Sequence, residues 1–369
     1  MSQDLFDNRM QRLREGLAES GFDAAAIVPG ANLYYLSGVN LHLMERPTML
    51  LVFADGSMRA VIPELERAKW LAAMPGADTH FWQDSDGFDA AFAAAGADMD
   101  RIRIGVEGQR MRVFEYEALK RGFPKAELGD AEACIAGIRL CKDAAEIRCM
   151  ETAIGISERA LASVTGRITA GMSEARIQAM LKNAMLDEGA EGFAFEPIVL
   201  AGENSANPHG SASDTCKLSR GQGLLFDFGA SFGGYHADIT RTFFCETVSE
   251  MNRDMYDTVL QANRHGRAVS APGVTAHEID ESVTGVMRES PFAEFILHRT
   301  GHGLGLYVHE EPQVMMGNSY AMREGVVITI EPGLYRPGEV GIRIEDDVVI
   351  TAASSRSLTS FDRELTLIG

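Results

Sequence analysis

Four acidic residues sit where acids are least expected, inside runs of apolar, strand-forming residues. Asp227 interrupts the run Leu224-Leu-Phe-Asp-Phe-Gly229, and Asp238 opens the run Asp238-Ile-Thr-Arg-Thr-Phe-Phe244. Buried strands normally exclude Asp. Gly233 and Gly234 between the runs supply turn chemistry for a hairpin. With its centre near Phe232 and Gly233, Asp227 and Asp238 are expected to face each other across the ladder. Two carboxylates so placed repel. Something positive must then stand between them, and a metal ion is the natural candidate.

The device recurs. Val326-Val-Ile-Thr-Ile-Glu331 ends in an acid, Val340-Gly-Ile-Arg-Ile-Glu345 ends in another, and Arg336-Pro-Gly-Glu339 forms a turn between them. A pairing centre at Gly338 places Glu331 opposite Glu345. Four negative charges match two divalent cations. Thr300-Gly-His-Gly-Leu-Gly305 offers His302 as a nitrogen ligand, with His309 close behind. Its glycines let backbones approach closely. Without a strand–turn–helix context they are not a dinucleotide fingerprint. The competing reading, an exposed acidic edge, is weakened by the repetition in two hairpins.

A chain of 369 residues suggests two domains. The formal net charge of −19 disfavours nucleic acid and an anionic membrane face as partners. Five scattered cysteines without a CxxC pair fit neither a disulfide scaffold nor a thiolate zinc site. The N-terminal segment has no apolar signal core, and no apolar run approaches the roughly 18 residues of a membrane span. A cytoplasmic protein is therefore expected.

Leu5, Phe6, Met10, Leu13 and Leu17 recur at helical spacing. Two strand-like runs flank Ala54-Asp-Gly-Ser57 as a hairpin. Segments 64–74, 86–95 and 112–121 read as helices, and Arg101-Ile-Arg-Ile-Gly-Val106 as a strand. This alternation predicts an N-terminal α/β domain over 1–138. The second domain, 139–369, opens with a helical pattern that starts near Arg139-Leu-Cys-Lys142 and runs through Ile147, Met150, Ile154, Ile156 and Leu161, followed by a helix from Ser173 to Glu188. Beyond residue 196, short strands and glycine turns dominate, interrupted by helices near 248–269 and 276–289. His42, His80, His265 and His277 read as surface or helix-end residues, and His236 as a turn residue. Asp346 and Asp347 are expected to face solvent or the sheet end, and Arg241 to serve as an ion-pair partner.

The C-terminal segments resemble the pita-bread metallopeptidases: prolidase, aminopeptidase P and methionine aminopeptidase, with creatinase as a metal-free relative. The N-terminal part resembles the creatinase-type capping domain. The resemblance implies an α/β (α+β) chain, with a C-terminal pita-bread (creatinase/aminopeptidase) fold and a smaller N-terminal α/β domain. It implies a dinuclear metal centre held by Asp227 in FDFG, Asp238 in ADITRT, His302 in GHGLG, Glu331 in IEPG and Glu345 in RIED. It further implies catalytic roles for His209, His309 and Glu331, and substrate contacts for His298, Arg343 and Tyr335.

The implied activity is hydrolysis of the Xaa-Pro bond in dipeptides or short peptides, by an Xaa-Pro dipeptidase or aminopeptidase. A metal-bridged hydroxide would attack the scissile carbonyl. A non-peptidase hydrolase or lyase acting on a small metabolite is the alternative, because fold does not dictate substrate. The oxygen-rich ligand set favours Mn(II), with Co(II) and Zn(II) as alternatives. A homodimer is implied as well, in which residues 41–47 of one subunit cap the other's site.

Overall fold

Apolar runs of four to six residues in the first third of the chain become strands of one mixed sheet. The structure is a computed structural model describing residues 3–369, with side chains from residue 5 onward. The chain separates into two compact units, the first ending at Arg139 and the second running from Leu140 to Gly369.

In the first unit the strands are β1 (Ala24–Ile27), β2 (Met49–Phe53), β3 (Met58–Pro63), β4 (Asp78–Trp82), β5 (Arg103–Val106) and β6 (Glu127–Asp130). Their spatial order is β4-β3-β2-β1-β5-β6. The β1–β2 and β2–β3 pairs are antiparallel and the other three parallel. The helices are α1 (Gln3–Ser20), α2 (Ala31–Ser37), α3 (Arg67–Ala73), α4 (Asp89–Gly96), α5 (Val113–Gly122) and α6 (Glu132–Gly137). Leu51, Val61, Phe92, Ile104 and Leu119 pack in the core. The sequence pattern did not reveal β4 and β6. Both are edge strands in which Trp82 is the one buried residue, so neither reads as an apolar run.

Two carboxylates, Glu107 and Glu115, lie fully inside this unit. Glu107 accepts the Val28 N–H at 2.6 Å and the Asn32 side-chain amide at 2.8 Å. Asn32 in turn accepts Arg139 Nε at 2.6 Å. Burial pushes the Glu107 carboxyl up to about 7.

The second unit opens with α7 (Ala144–Thr165). Its cap, Asp143, accepts the Ala145 and Glu146 N–H groups, while Glu146 accepts the Asp143 N–H at 2.8 Å. Then follow α8 (Glu174–Asp187), β7 (Gly192–Phe193), β8 (Ile198–Ala201), β9 (Gly223–Phe228), β10 (Ala230–Phe232), β11 (Tyr235–His236) and β12 (Ile239–Cys245). Helices α9 (Glu250–Val269) and α10 (Ala276–Arg288) come next, each with a hydroxyl N-cap. The remaining strands are β13 (Gly301–Gly303), β14 (Glu310–Val314), β15 (Val327–Ile330), β16 (Gly333–Arg336), β17 (Val340–Arg343), β18 (Asp346–Ile350), β19 (Ser355–Ser357) and β20 (Leu367–Ile368).

Two larger sheets result, β20-β12-β9-β8 and β14-β13-β15-β18-β19, beside the smaller groups β11-β10-β7 and β16-β17. Val259, Val283 and Met287 on the two helices pack against Ile328, Ile330, Ile342 and Val348 of the strands.

The first hairpin differs from expectation by a register step. Asp227 pairs with Thr240, not with Asp238. The reason is the turn. Gly233 and Gly234 both adopt positive φ, 59° and 79°, so both are central turn residues. The centre moves along by one residue, which shifts each partner by two. A shift of two preserves the face, so Asp238 still shares one side of the ladder with Thr240. Gly229 makes this close approach possible, because a Cβ there would lie 1.7 Å from Ala237 O.

The second hairpin has the expected register. Gly333 pairs with Arg343 in one sheet and Ile330 with Asp346 in the next. Glu331 and Glu345 fall at the break between the two ladders. Asp346 and Asp347, expected at solvent or the sheet end, are fully buried. Asp346 is compensated by Arg241 at 2.9 Å, Arg363 at 2.7 Å and Arg267 at 3.4 Å.

Candidate active site

The acids stand where strands end or bend. Asp227 lies in β9, and Asp238 immediately precedes β12, its N–H donating to Asp347 Oδ2 at 3.1 Å. Glu331 follows β15, and Glu345 lies between β17 and β18. The Thr240 hydroxyl donates to Glu345 Oε2 at 2.5 Å. His302 sits in the middle of β13, its N–H held by Thr329 Oγ1 at 3.0 Å. The Thr329 hydroxyl donates to Glu331 Oε1 at 3.2 Å.

His302 Nδ1 lies 3.0 Å from Gly303 O. A carbonyl can only accept, so Nδ1 carries the proton and the Nε2 lone pair is free. That Nε2 is 3.3 Å from Glu331 Oε1 and 3.7 Å from Asp238 Oδ2. Asp238, His302 and Glu345 each offer a ligand atom, all within 4.8 Å of one another.

The charge balance is poor within the protein alone. Arg343 contacts the cluster: it pairs with Asp227, donates to the Thr240 hydroxyl at 2.9 Å and donates to Tyr335 Oη at 2.7 Å. One guanidinium does not balance four acids. Burial, then neighbouring acids, raise the Asp238 and Glu345 carboxyls well above the usual range. Burial pushes Glu331 up to about 7 and also raises Asp227, despite Arg343 beside it. Asp227 Oδ1 is buried without a hydrogen-bond partner. An orphaned oxygen, clustered carboxylates and a free imidazole lone pair together fit a divalent cation.

These groups form the floor of a cavity of about 850 Å³. Its walls carry His209, His298, Arg299 and His309, with Phe195, Leu297 and Met315 among the apolar members. The floor is borne by strands and strand ends, whereas Phe195, Leu297 and Met315 lie in connecting segments. His209 and His309 are exposed. The His309 ring meets the His302 ring edge-on, with centroids 4.2 Å apart and planes at 77°.

His298 Nδ1 donates to Arg299 O at 2.8 Å, so its Nε2 accepts the Tyr335 hydroxyl, also at 2.8 Å. Burial drives the His298 pKa down to about 4 and keeps the ring neutral. Tyr335 is fully buried and stands behind His298 and Arg343. It is not among the cavity-lining residues and adjoins two of them, His298 and Arg343.

The sequence reading missed Thr240, Thr329 and Arg299. Two of them carried a usable signal. Thr240 is two residues after Asp238 and Thr329 two before Glu331, the spacing of residues on one strand face.

Comparison with known proteins agrees with this geometry. The profile of metallopeptidase family M24 matches residues 148–352, and that of the creatinase/prolidase N-terminal domain matches residues 9–141. An Xaa-Pro dipeptidase of Pyrococcus horikoshii is 32% identical over 364 residues, covering 98% of this chain and 99% of its own. The crystal structure of recombinant prolidase from Thermococcus sibiricus superposes with a TM-score of 0.93 at 32% identity, covering 100% of both chains. Dipeptidase PepE of Mycobacterium ulcerans gives 0.92 at 30% identity, covering 100% of this chain and 99% of its own. The chain belongs to metallopeptidase family M24, an enzyme family that works with divalent metal ions on a pita-bread fold.

Proposed function

We propose that this enzyme is an Xaa-Pro dipeptidase in which Asp227, Asp238, His302, Glu331 and Glu345 hold two divalent ions, Mn(II) in the working enzyme. The observation that carries the reading is the four-acid floor with a single guanidinium against it. The relatives named as Xaa-Pro dipeptidase and prolidase support the substrate. The oxygen-rich donor set supports Mn(II). When bound, the ions supply a Lewis acid and an activated water.

The protein's own groups divide the remaining work. Glu331, at the end of β15 and beside His302, would receive a proton and return it to the departing proline nitrogen. His209 and His309, both lining the cavity, would donate N–H groups to the developing oxyanion. Both ring nitrogens of His298 are engaged by the protein, so it offers substrate its ring face and carbon edge, which suits a proline ring. Arg343 donates once from each of its three nitrogens, to Thr240, Tyr335 and Asp227, and thereby orients Asp227. Arg299 is then the exposed guanidinium on the wall able to meet a free carboxylate, which favours dipeptides. No observation favours a small-metabolite hydrolase or lyase.

The test is to strip the enzyme with chelator, reload it separately with Mn(II), Co(II) and Zn(II), and offer Ala-Pro, a longer Xaa-Pro-Yaa peptide and Ala-Ala. Ala-Pro alone should be cut, fastest with Mn(II). Preference for the longer peptide would make the enzyme an aminopeptidase. No cleavage after any Xaa-Pro would sink the reading. We extend the proposal to a homodimer, supported by the exposed Met44, Val113 and Phe114 of the first unit. A monomer in sedimentation velocity would contradict it.

A further inference from the structure

Next to His309 in the chain lies a buried ion pair with no part in the chemistry above. Lys142 Nζ stands 3.1 Å from Glu310 Oε2, the side chains 1% and 4% exposed. The other carboxylate oxygen, Oε1, accepts the Tyr307 N–H at 2.9 Å. The pair is pressed against Gly305, where a Cβ would lie 2.8 Å from Glu310 Oε2 and 2.9 Å from Lys142 Cε. Gly305 N donates to Tyr307 O, and Gly305 O accepts the His236 N–H, both at 3.0 Å. Gln313 Nε2 donates to Glu310 O at 3.0 Å. The Glu310 carboxylate thus closes residues 305–310 into a tight turn, tied through Lys142 to the start of the catalytic unit.

That turn carries His309. No hydrogen bond among the described residues holds the His309 imidazole, so the backbone beneath it and the edge-on contact with the His302 ring set its position. A buried ion pair is a costly way to fill space, since desolvation offsets most of its attraction. An apolar pair would fill the same volume and could not accept the Tyr307 N–H.

We propose that Lys142 and Glu310 are a positioning pair for His309: Glu310 shapes the turn that aims the imidazole at the substrate carbonyl, and Lys142 fixes Glu310. The inference rests on the oxyanion role given to His309. Lys142 and Glu310 do not line the cavity, so their effect is on kcat, through the geometry of a group that acts in the transition state.

The experiment is a double-mutant cycle on the full-length, Mn(II)-loaded enzyme with Ala-Pro. Lys142→Gln and Glu310→Gln are made together, so that no lone charge is left buried. We expect kcat to fall by about 10²-fold with KM within about twofold. Metal uptake, followed by calorimetry on the free protein, stays at the wild-type stoichiometry. Lys142→Arg retains activity. In a His309→Ala background the pair of changes costs nothing more, because both act through one group.

Glu310→Asp keeps the charge balance and shortens the reach to Tyr307. It should show the same kcat loss, and it carries the test if the double variant does not fold. Wild-type kcat in a folded pair variant overturns the proposal, and so does a loss that simply multiplies that of His309→Ala. In both cases an impaired His309→Ala leaves the oxyanion role standing. Full activity in His309→Ala overturns that role and the positioning pair with it.

Discussion

At the scale of single residues, the informative groups are acids kept from water. Glu107 is the clearest case away from the cavity. Its carboxyl is pushed from the usual range up to about 7 by burial, so the folded state holds its proton more tightly than the unfolded chain. Its contribution to stability is fully present at acid pH and is lost as pH rises through about 7. Glu107→Gln should therefore flatten the fall of the unfolding midpoint between about pH 5 and about pH 8. An unchanged slope in thermal melts would refute this. Within the cavity, Asp238→Asn should keep the fold and lose divalent-ion binding, read by calorimetry and by activity. Full activity would remove Asp238 from the ligand set. The cavity acids were legible in the sequence because an acid amid apolar strand residues demands compensation. Asp346 and Asp347 were not, because an acid at a strand end looks solvated. Arg241, which neutralises Asp346, stands 105 positions away, and only the folded topology brings them together.

At the scale of elements, legibility followed burial and turn chemistry. The capped helices of the second unit and the apolar strands of both units were visible as patterns. The edge strands β4 and β6 were not, since each pairs with a single neighbour and Trp82 is the one buried residue between them. The register of the first hairpin turned on which residues occupy the turn centre, which two adjacent glycines leave open until their φ values are known. The close approach at Gly229 gives a test. Gly229→Ala forces Ala237 and its neighbour Asp238 outward and should cost about 3 kcal/mol, with weakened metal binding. Wild-type stability to urea would show that the strands adjust freely.

For the whole molecule, composition and length pointed to two domains and away from nucleic acid, and no helix among the described residues is long and apolar enough to cross a membrane. Composition says nothing of how four acids become tolerable together, which is a property of the assembled cavity. Chelation should lower the unfolding midpoint. Ions at about a thousandfold over Kd should stabilise by ~4 kcal/mol. The gain should grow with pH, because protons compete with the ions for the same oxygens. A midpoint indifferent to chelator would contradict the fit of these residues to metal.

The division of the cavity into a strand-borne floor and loop-borne walls has a consequence for descent. Connecting segments accept substitutions and length changes that paired strands refuse. Phe195, Leu297 and Met315 can be exchanged without moving an acid on the floor. Lineages built on this plan are thus free to change diet while inheriting the chemistry intact.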